Sequence, residues 1–147
     1  MRQQELVVGI VSPGDMGNQV GRLLQAHGVR VVTALAGRSQ RTRRLAEAAG
    51  IQNVGAYEDL VSEAQIVLSI LAPAAAVEAA SAIAQAVRAR GADLLFVDCN
   101  AIAPQTVQAI EVIITGAGAR FVDASIIGPP PRKPGTTRFY ASGSHAP

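Results

Sequence analysis

Short apolar runs alternate along this chain with longer, Ala-rich segments whose apolar positions recur at helical spacing. Leu6–Val11 reads as a buried strand. Gly17–His27 reads as a helix with Val20, Leu23, Leu24 and His27 on one face; His27 is expected to pack or cap there, and Gly28 to end the helix. Val29–Leu35 is the second strand. Ser39 can cap a helix running to about Ala49, and Gly50 stops it. A short strand at Ile51–Val54 and a helical turn at Tyr57–Val61 come next. Ile66–Leu71 is a strong strand, with Pro73 at the start of a helix over Ala74–Ala89 that Gly91 ends. Leu94–Val97 is another strand, Pro104 opens a helix to about Thr115, and Phe121–Val122 lies in a further strand. Beyond Gly128 come Pro129-Pro130-Pro131, Pro134-Gly135 and a last strand candidate, Thr137–Ala141. The tail from Gly143 to Pro147 reads as a linker.

The strands are continuous apolar runs, which predicts a parallel sheet covered by helices on both faces. Repeated strand–helix units predict an α/β fold, a doubly wound, mostly parallel sheet in a single domain over residues 1–147. A chain of 147 residues can bury one core, and 49% hydrophobic against 16% charged residues marks it as globular. A net charge of +2 and an aromatic content of 3% give neither a basic stripe nor stacking platforms, so no nucleic-acid partner is expected. Cys99 is the sole cysteine, so no intrachain disulfide can form. The longest apolar stretch, 66–80, is interrupted by Ser69, Pro73 and Glu78 and does not read as a membrane span. The N-terminus lacks a secretory apolar region, and a cytoplasmic location is expected. No metal-ligand spacing is present.

Candidate chemistry gathers at the carboxyl ends of the strands, where doubly wound sheets bind ligands. After the first strand, Ser12-Pro13-Gly14-Asp15-Met16-Gly17 comes close to the G-x-G-x-x-G turn that presents backbone N–H groups and a helix N-terminus to a phosphate. Gly14 would let a pyrophosphate meet the backbone, and Gly17 and Gly21 would let the helix pack close to the strand. Asp15 has to point outward, because a carboxylate repels a diphosphate. After the second strand, Ala36-Gly37-Arg38-Ser39 holds no acid for a ribose 2′-hydroxyl. Arg38 and Ser39 suit a 2′-phosphate instead, with Arg41, Arg43 and Arg44 nearby, so NADP (NADPH) is expected in preference to NAD. Asn100, in Asp98-Cys99-Asn100, has two readings: a ligand for a substrate carboxylate or the nicotinamide amide, or a loop asparagine bonded to its own backbone. Cys99 has no histidine neighbour and reads as an inert buried thiol. His145, in the tail, suggests no role.

Together these segments resemble the β-hydroxyacid dehydrogenases, the group that includes 6-phosphogluconate and 3-hydroxyisobutyrate dehydrogenases. The resemblance is carried by Val8–Gly17 with its Met16-Gly17 pair, by Gly37-Arg38-Ser39, by Ser69-Ile70-Leu71-Ala72-Pro73, by Asp98-Cys99-Asn100-Ala101-Ile102-Ala103-Pro104, and by Phe121-Val122-Asp123-Ala124 followed by Gly128. It implies a Rossmann domain in which Ser12, Pro13, Gly14, Asp15, Met16, Gly17, Arg38, Ser39, Leu71, Ala72, Pro73 and Asn100 contact the cofactor, with Leu71–Pro73 passing beneath the nicotinamide ribose. Asn100, Ala101 and Gly128 fall at the substrate positions. The Asn100-Ala101 pair and the 126–131 segment look like a branch with its own 6-phosphogluconate-dehydrogenase-type C-terminal domain.

Ser12 stands where the first motif glycine belongs, Asn100-Ala101 where the family has Ser-Thr, and Ile127 where it has a small polar residue. The substrate is therefore expected to differ from the standard ones. The resemblance also implies a helical catalytic and dimerisation domain outside these residues that carries the catalytic lysine, since Lys133, the one lysine, does not match that position. The chain is expected to bind NADPH without turnover, to expose apolar surface and to self-associate as a homo-oligomer. In a complete enzyme the reaction would be hydride transfer between nicotinamide and a small hydroxy acid or related carbonyl compound, or an imine/amine carbon. The rival reading is a non-catalytic NADPH-binding module that acts as a sensor or docks on a partner.

Overall fold

A computed structural model describes residues 5–11, 13–128 and 138–143. The elements are β1 (Val7–Val11), α1 (Asp15–Ala26), β2 (Arg30–Thr33), α2 (Gln40–Ala49), β3 (Gln52–Asn53), α3 (Tyr57–Glu63), β4 (Ile66–Ser69), α4 (Ala76–Arg90), β5 (Leu95–Asp98), α5 (Pro104–Gly116), β6 (Arg120–Ile127) and β7 (Arg138–Ser142). The strands form one sheet in the order β3-β2-β1-β4-β5-β6-β7. All pairs are parallel except the β6–β7 pair. This is the doubly wound α/β fold expected, and strand order reverses between β1 and β4.

The helices are delimited by the signals in the sequence. Ser39 Oγ accepts from Thr42 N–H at the start of α2, and Gly50 closes that helix in the left-handed region at φ 73°. Gly91 does the same for α4 at φ 58°. Helix α1 begins at Asp15, two residues before the expected start at Gly17, because Gly14 already supplies its N-terminal boundary. His27 occupies the C-terminal boundary of α1, but its ring is exposed, so it caps by position and does not pack. Pro73 starts a 3-10 turn over Pro73–Ala75 rather than α4 itself.

The core has two layers. On one face, α3, α4 and α5 pack over the sheet through residues such as Leu60, Ile83, Val87, Ile110 and Ile114, around Val67 and Phe96. Phe96 and Phe121 stack at 6.3 Å between ring centres. On the other face, α1 and α2 cover Ile10, Val31 and Leu35 with Val20, Ala46 and Ala49. Close packing fixes Gly21, where an added Cβ would lie 2.6 Å from Ile51 Cδ1.

Two expectations are corrected. Continuous apolar strands predict burial on both faces, yet β4 and β5 alternate buried and half-buried residues. Among the described residues only α1 and α2 lie on that second face, and they sit over β1 and β2, leaving Ile66, Leu68, Leu95 and Val97 partly open. Strand β7 is exposed at all five positions because it is an antiparallel edge strand. Its pairing also carries β6, the strand in which Phe121–Val122 lies, to eight residues.

Candidate functional site

The register aligns the strand ends. Val11 pairs with Ser69, Ser69 with Asp98, and Asp98 with Asp123, so these four residues stand level across β1, β4, β5 and β6. The loops beyond Val11, Ser69 and Asp98 therefore open together at the carboxyl edge. Gly128 is set apart: β6 continues past Asp123 to Ile127, and at a strand rise of about 3.3 Å per residue Gly128 lies roughly 16 Å beyond that level. It is exposed, with φ 109°.

The first loop leads into α1 without a side-chain cap. Asn18 N–H makes the first helical bond, to Gly14 O at 2.8 Å, so the amides before it have no helical carbonyl to meet. Gly14 has φ −73°, and a Cβ built on it would meet no atom within 4 Å. Neither backbone conformation nor protein packing requires glycine there; the missing side chain leaves open space beside helix N–H groups that have no partner among the described residues. Pro13 and Gly17 are buried and Met16 is half-buried against the α1-side core. Asp15 points outward, as it has to, and pairs with Arg41 at 2.9 Å. Ser12 lies outside the described residues.

Asn18 is a feature the sequence reading missed. It is 4% exposed, and its Oδ1 has no partner among the described residues. A buried acceptor left unpaired is uncommon. The signal was the asparagine following Gly17 in the first helical turn. This orphaned oxygen and the vacant Cβ position of Gly14 both fit a ligand carrying anionic and hydroxyl or amide groups.

The second loop turns at Gly37, φ 75°, and presents Arg38. Arg38 Nη2 donates to the Tyr57 hydroxyl. Both line a cleft of about 240 Å³ with Gly37, Leu71, Glu78 and Ala79. Leu71 thus shares the cleft with Arg38. Ala72 and Pro73, at the start of the 3-10 turn, are exposed beside it. Two of the other three arginines are held elsewhere: Arg43 donates to Leu35 O at 2.7 Å and to Arg38 O at 3.4 Å, and Arg41 serves Asp15, while Arg44 is exposed on α2. Ser39 is engaged as the α2 cap, and its hydroxyl also donates to Thr42 Oγ1 at 3.1 Å.

The Asn100 side chain is engaged within the protein. Its Oδ1 accepts from Leu71 N–H at 2.8 Å, and its Nδ2 donates to Ser69 Oγ at 3.1 Å and Asp98 Oδ2 at 3.3 Å. The side chain ties the ends of β4 and β5 together rather than reaching outward, and its partners are the Ser69 and Asp98 side chains at those ends and the Leu71 amide in the loop after β4. Ala101 is exposed on the following turn. Burial raises the Asp98 carboxyl above its ordinary pKa, opposed by hydrogen bonds from Asn100; burial also raises Asp123. The Cys99 thiol is pushed up to about 12 by burial, then by Asp98 and Asp123. Cys99 should therefore react with a thiol reagent at pH 8 on the order of a hundredfold or more slowly than a free thiol, and at the ordinary rate once unfolded. Fast labelling of the folded chain would contradict this.

A glycine turn at the strand-order reversal, with a basic loop across a cleft from the start of α4, defines a dinucleotide-binding α/β domain. Residues 7–146 match the NAD-binding domain of 6-phosphogluconate dehydrogenase. The chain belongs to that family, within the β-hydroxyacid dehydrogenases. It is 29% identical over 139 residues to the uncharacterized 28.5 kDa protein in the 7S RNA 5′ region of Methanothermus fervidus, covering 95% of this chain and 51% of that one. A solved conserved protein of unknown function, described as structurally similar to 3-hydroxyacid dehydrogenases, is 34% identical with TM-score 0.82 over 95% of this chain and 50% of its own. The Mycobacterium tuberculosis 3-hydroxyisobutyrate dehydrogenase, solved with L-serine, shares the fold at 20% identity and TM-score 0.77, over 97% of this chain and 48% of that one. An imine reductase from Pseudomonas sp. shares it at 17% and 0.78, over 97% and 49%. The chain spans about half the length of these relatives. The family implies a nicotinamide cofactor. No helix among the described residues is long and apolar enough to cross a membrane.

Proposed function

We propose that this chain is the NADP(H)-binding half of an oxidoreductase that moves hydride between nicotinamide and a small hydroxy acid, a related carbonyl compound or an imine. The observation that carries the cofactor choice is Arg38, which lines the cleft beyond β2 where an NAD-selective site would hold an acid. The loop from Ser12 to Gly17 would receive the pyrophosphate on the α1 N-terminus. Arg38, assisted by Ser39, would take the 2′-phosphate. Leu71, Ala72 and Pro73 would wall the ribose and base. Nicotinamide, when bound, supplies the hydride chemistry, and this domain supplies position and electrostatics.

Asn100 would hold Leu71 in place while Ala101 and Gly128 face the substrate side. The catalytic group would come from a second, helical domain, in keeping with relatives about twice as long. Self-association through exposed Ile127, Phe139 and Tyr140 on β6 and β7 completes the proposal, as does a cytoplasmic setting without nucleic-acid partners. A second reading, an NADPH sensor or docking module, is favoured by one observation: Cys99 and Asn100, the reactive types beyond β5, are buried and committed. Titration with NADPH and NADH tests the cofactor reading. NADPH should bind at least roughly tenfold more tightly, the worth of a charge-assisted phosphate contact. Equal affinities would overturn the 2′-phosphate reading, and binding of neither would overturn the dinucleotide reading.

A further inference from the structure

We propose that Tyr57 is a positioning residue that fixes Arg38 for the cofactor's 2′-phosphate, and so sets the preference for the phosphorylated dinucleotide. The inference rests on the NADP reading above. Arg38 projects from the turn at Gly37, and its side chain has many rotamers to lose when it grips an anion. Tyr57 removes that freedom before the ligand arrives. It is the first residue of α3, half-buried, lines the same cleft, and its hydroxyl accepts from Arg38 Nη2.

The chemistry of this partner matters as much as its position. A carboxylate would neutralise the guanidinium, as Asp15 does for Arg41 on the adjoining helix. A phenol hydroxyl is neutral and uses one of five donors, leaving the charge and the remaining N–H groups for a phosphate. The carbonyl of Arg38 is in turn held by Arg43 Nε, and Leu35 O by Arg43 Nη2, so both backbone and side chain of Arg38 are restrained. Preorganisation of this kind raises affinity by lowering the ordering cost of binding.

The test uses the full chain with NADPH, NADH, 2′-phospho-AMP and AMP as probes, in the native protein, Tyr57→Phe, Arg38→Met and the double variant. Tyr57→Phe should lower the NADPH-to-NADH preference about fivefold, the worth of one hydrogen bond, with the same ratio seen for the two AMP probes. In the Arg38→Met background it should change the preference no further. An unchanged preference in Tyr57→Phe, or equal weakening of both cofactors, would overturn the role and leave Tyr57 as cleft wall. A native chain with no preference would instead overturn the NADP reading and this inference with it. If Tyr57→Phe does not fold, Tyr57→Leu is read by the same ratio.

Discussion

Arg38→Asp is expected to weaken NADPH binding by on the order of a hundredfold, with NADH affinity changed by less than about fivefold. Two effects add for NADPH. The charge-assisted bonds to the 2′-phosphate are lost, and a carboxylate is set against a dianion in a partly closed cleft. Neither acts on NADH, which has a 2′-hydroxyl that an acid at the end of β2 can accept. Preference should therefore invert rather than merely fall. Arg41 and Arg43 cannot substitute, since one serves Asp15 and the other is held on Leu35 and Arg38 carbonyls. Isothermal titration of both cofactors at fixed salt gives the two constants. A parallel loss for both would mean that Arg38 contributes only to the adenosine wall, and the phosphate assignment would fail.

Local signals made much of this legible in the sequence. Gly28, Gly50 and Gly91 mark helix ends, and each takes positive φ in the structure. Ser39 marks the start of α2 and caps it. Strand positions followed from apolar runs because β1 and β2 are covered on both faces. The same rule misled at β4 and β5, where the second face is only partly covered, and a run of Ile, Val and Leu cannot report which side lacks a helix. The length of β6 was hidden for a related reason: Ala124 and Ser125 carry little strand propensity, and β7, distant in sequence, holds them in the ladder. At the site, residue type gave the chemistry but not its allocation. Seven basic or polar side chains follow β2 between Arg38 and Arg44, and only packing reveals that Arg41 and Arg43 are held elsewhere while Arg38 lines the cleft. Asn18 and Tyr57 were missed because an asparagine in a helix and a tyrosine at a helix start have no distinctive spacing.

Asn100→Ala should destabilise the fold by about 3 kcal/mol and lower the melting temperature by roughly 10 °C. Asn100 is 8% exposed, and its side chain serves three partners, at the ends of β4 and β5 and in the loop after β4. Alanine leaves Leu71 N–H without its acceptor and removes a donor from both Ser69 and Asp98, in a place with little access for water. The loss should depend on pH. Burial already raises the Asp98 pKa above that of the unfolded chain, and the Asn100 bonds hold it down. A raised carboxylate pKa contributes stability below the unfolded value that is lost as pH rises through the folded value. The alanine variant removes one restraining bond, raises that pKa further and extends the loss. Its deficit against the native chain should consequently be larger at about pH 7 than at about pH 4, where Asp98 is closer to protonated in both states. Urea unfolding of the two proteins at both pH values measures this directly. An equal deficit would show that Asn100 acts through Leu71 and Ser69 alone, and a deficit under about 1 kcal/mol would show that water replaces it at the β4–β5 junction.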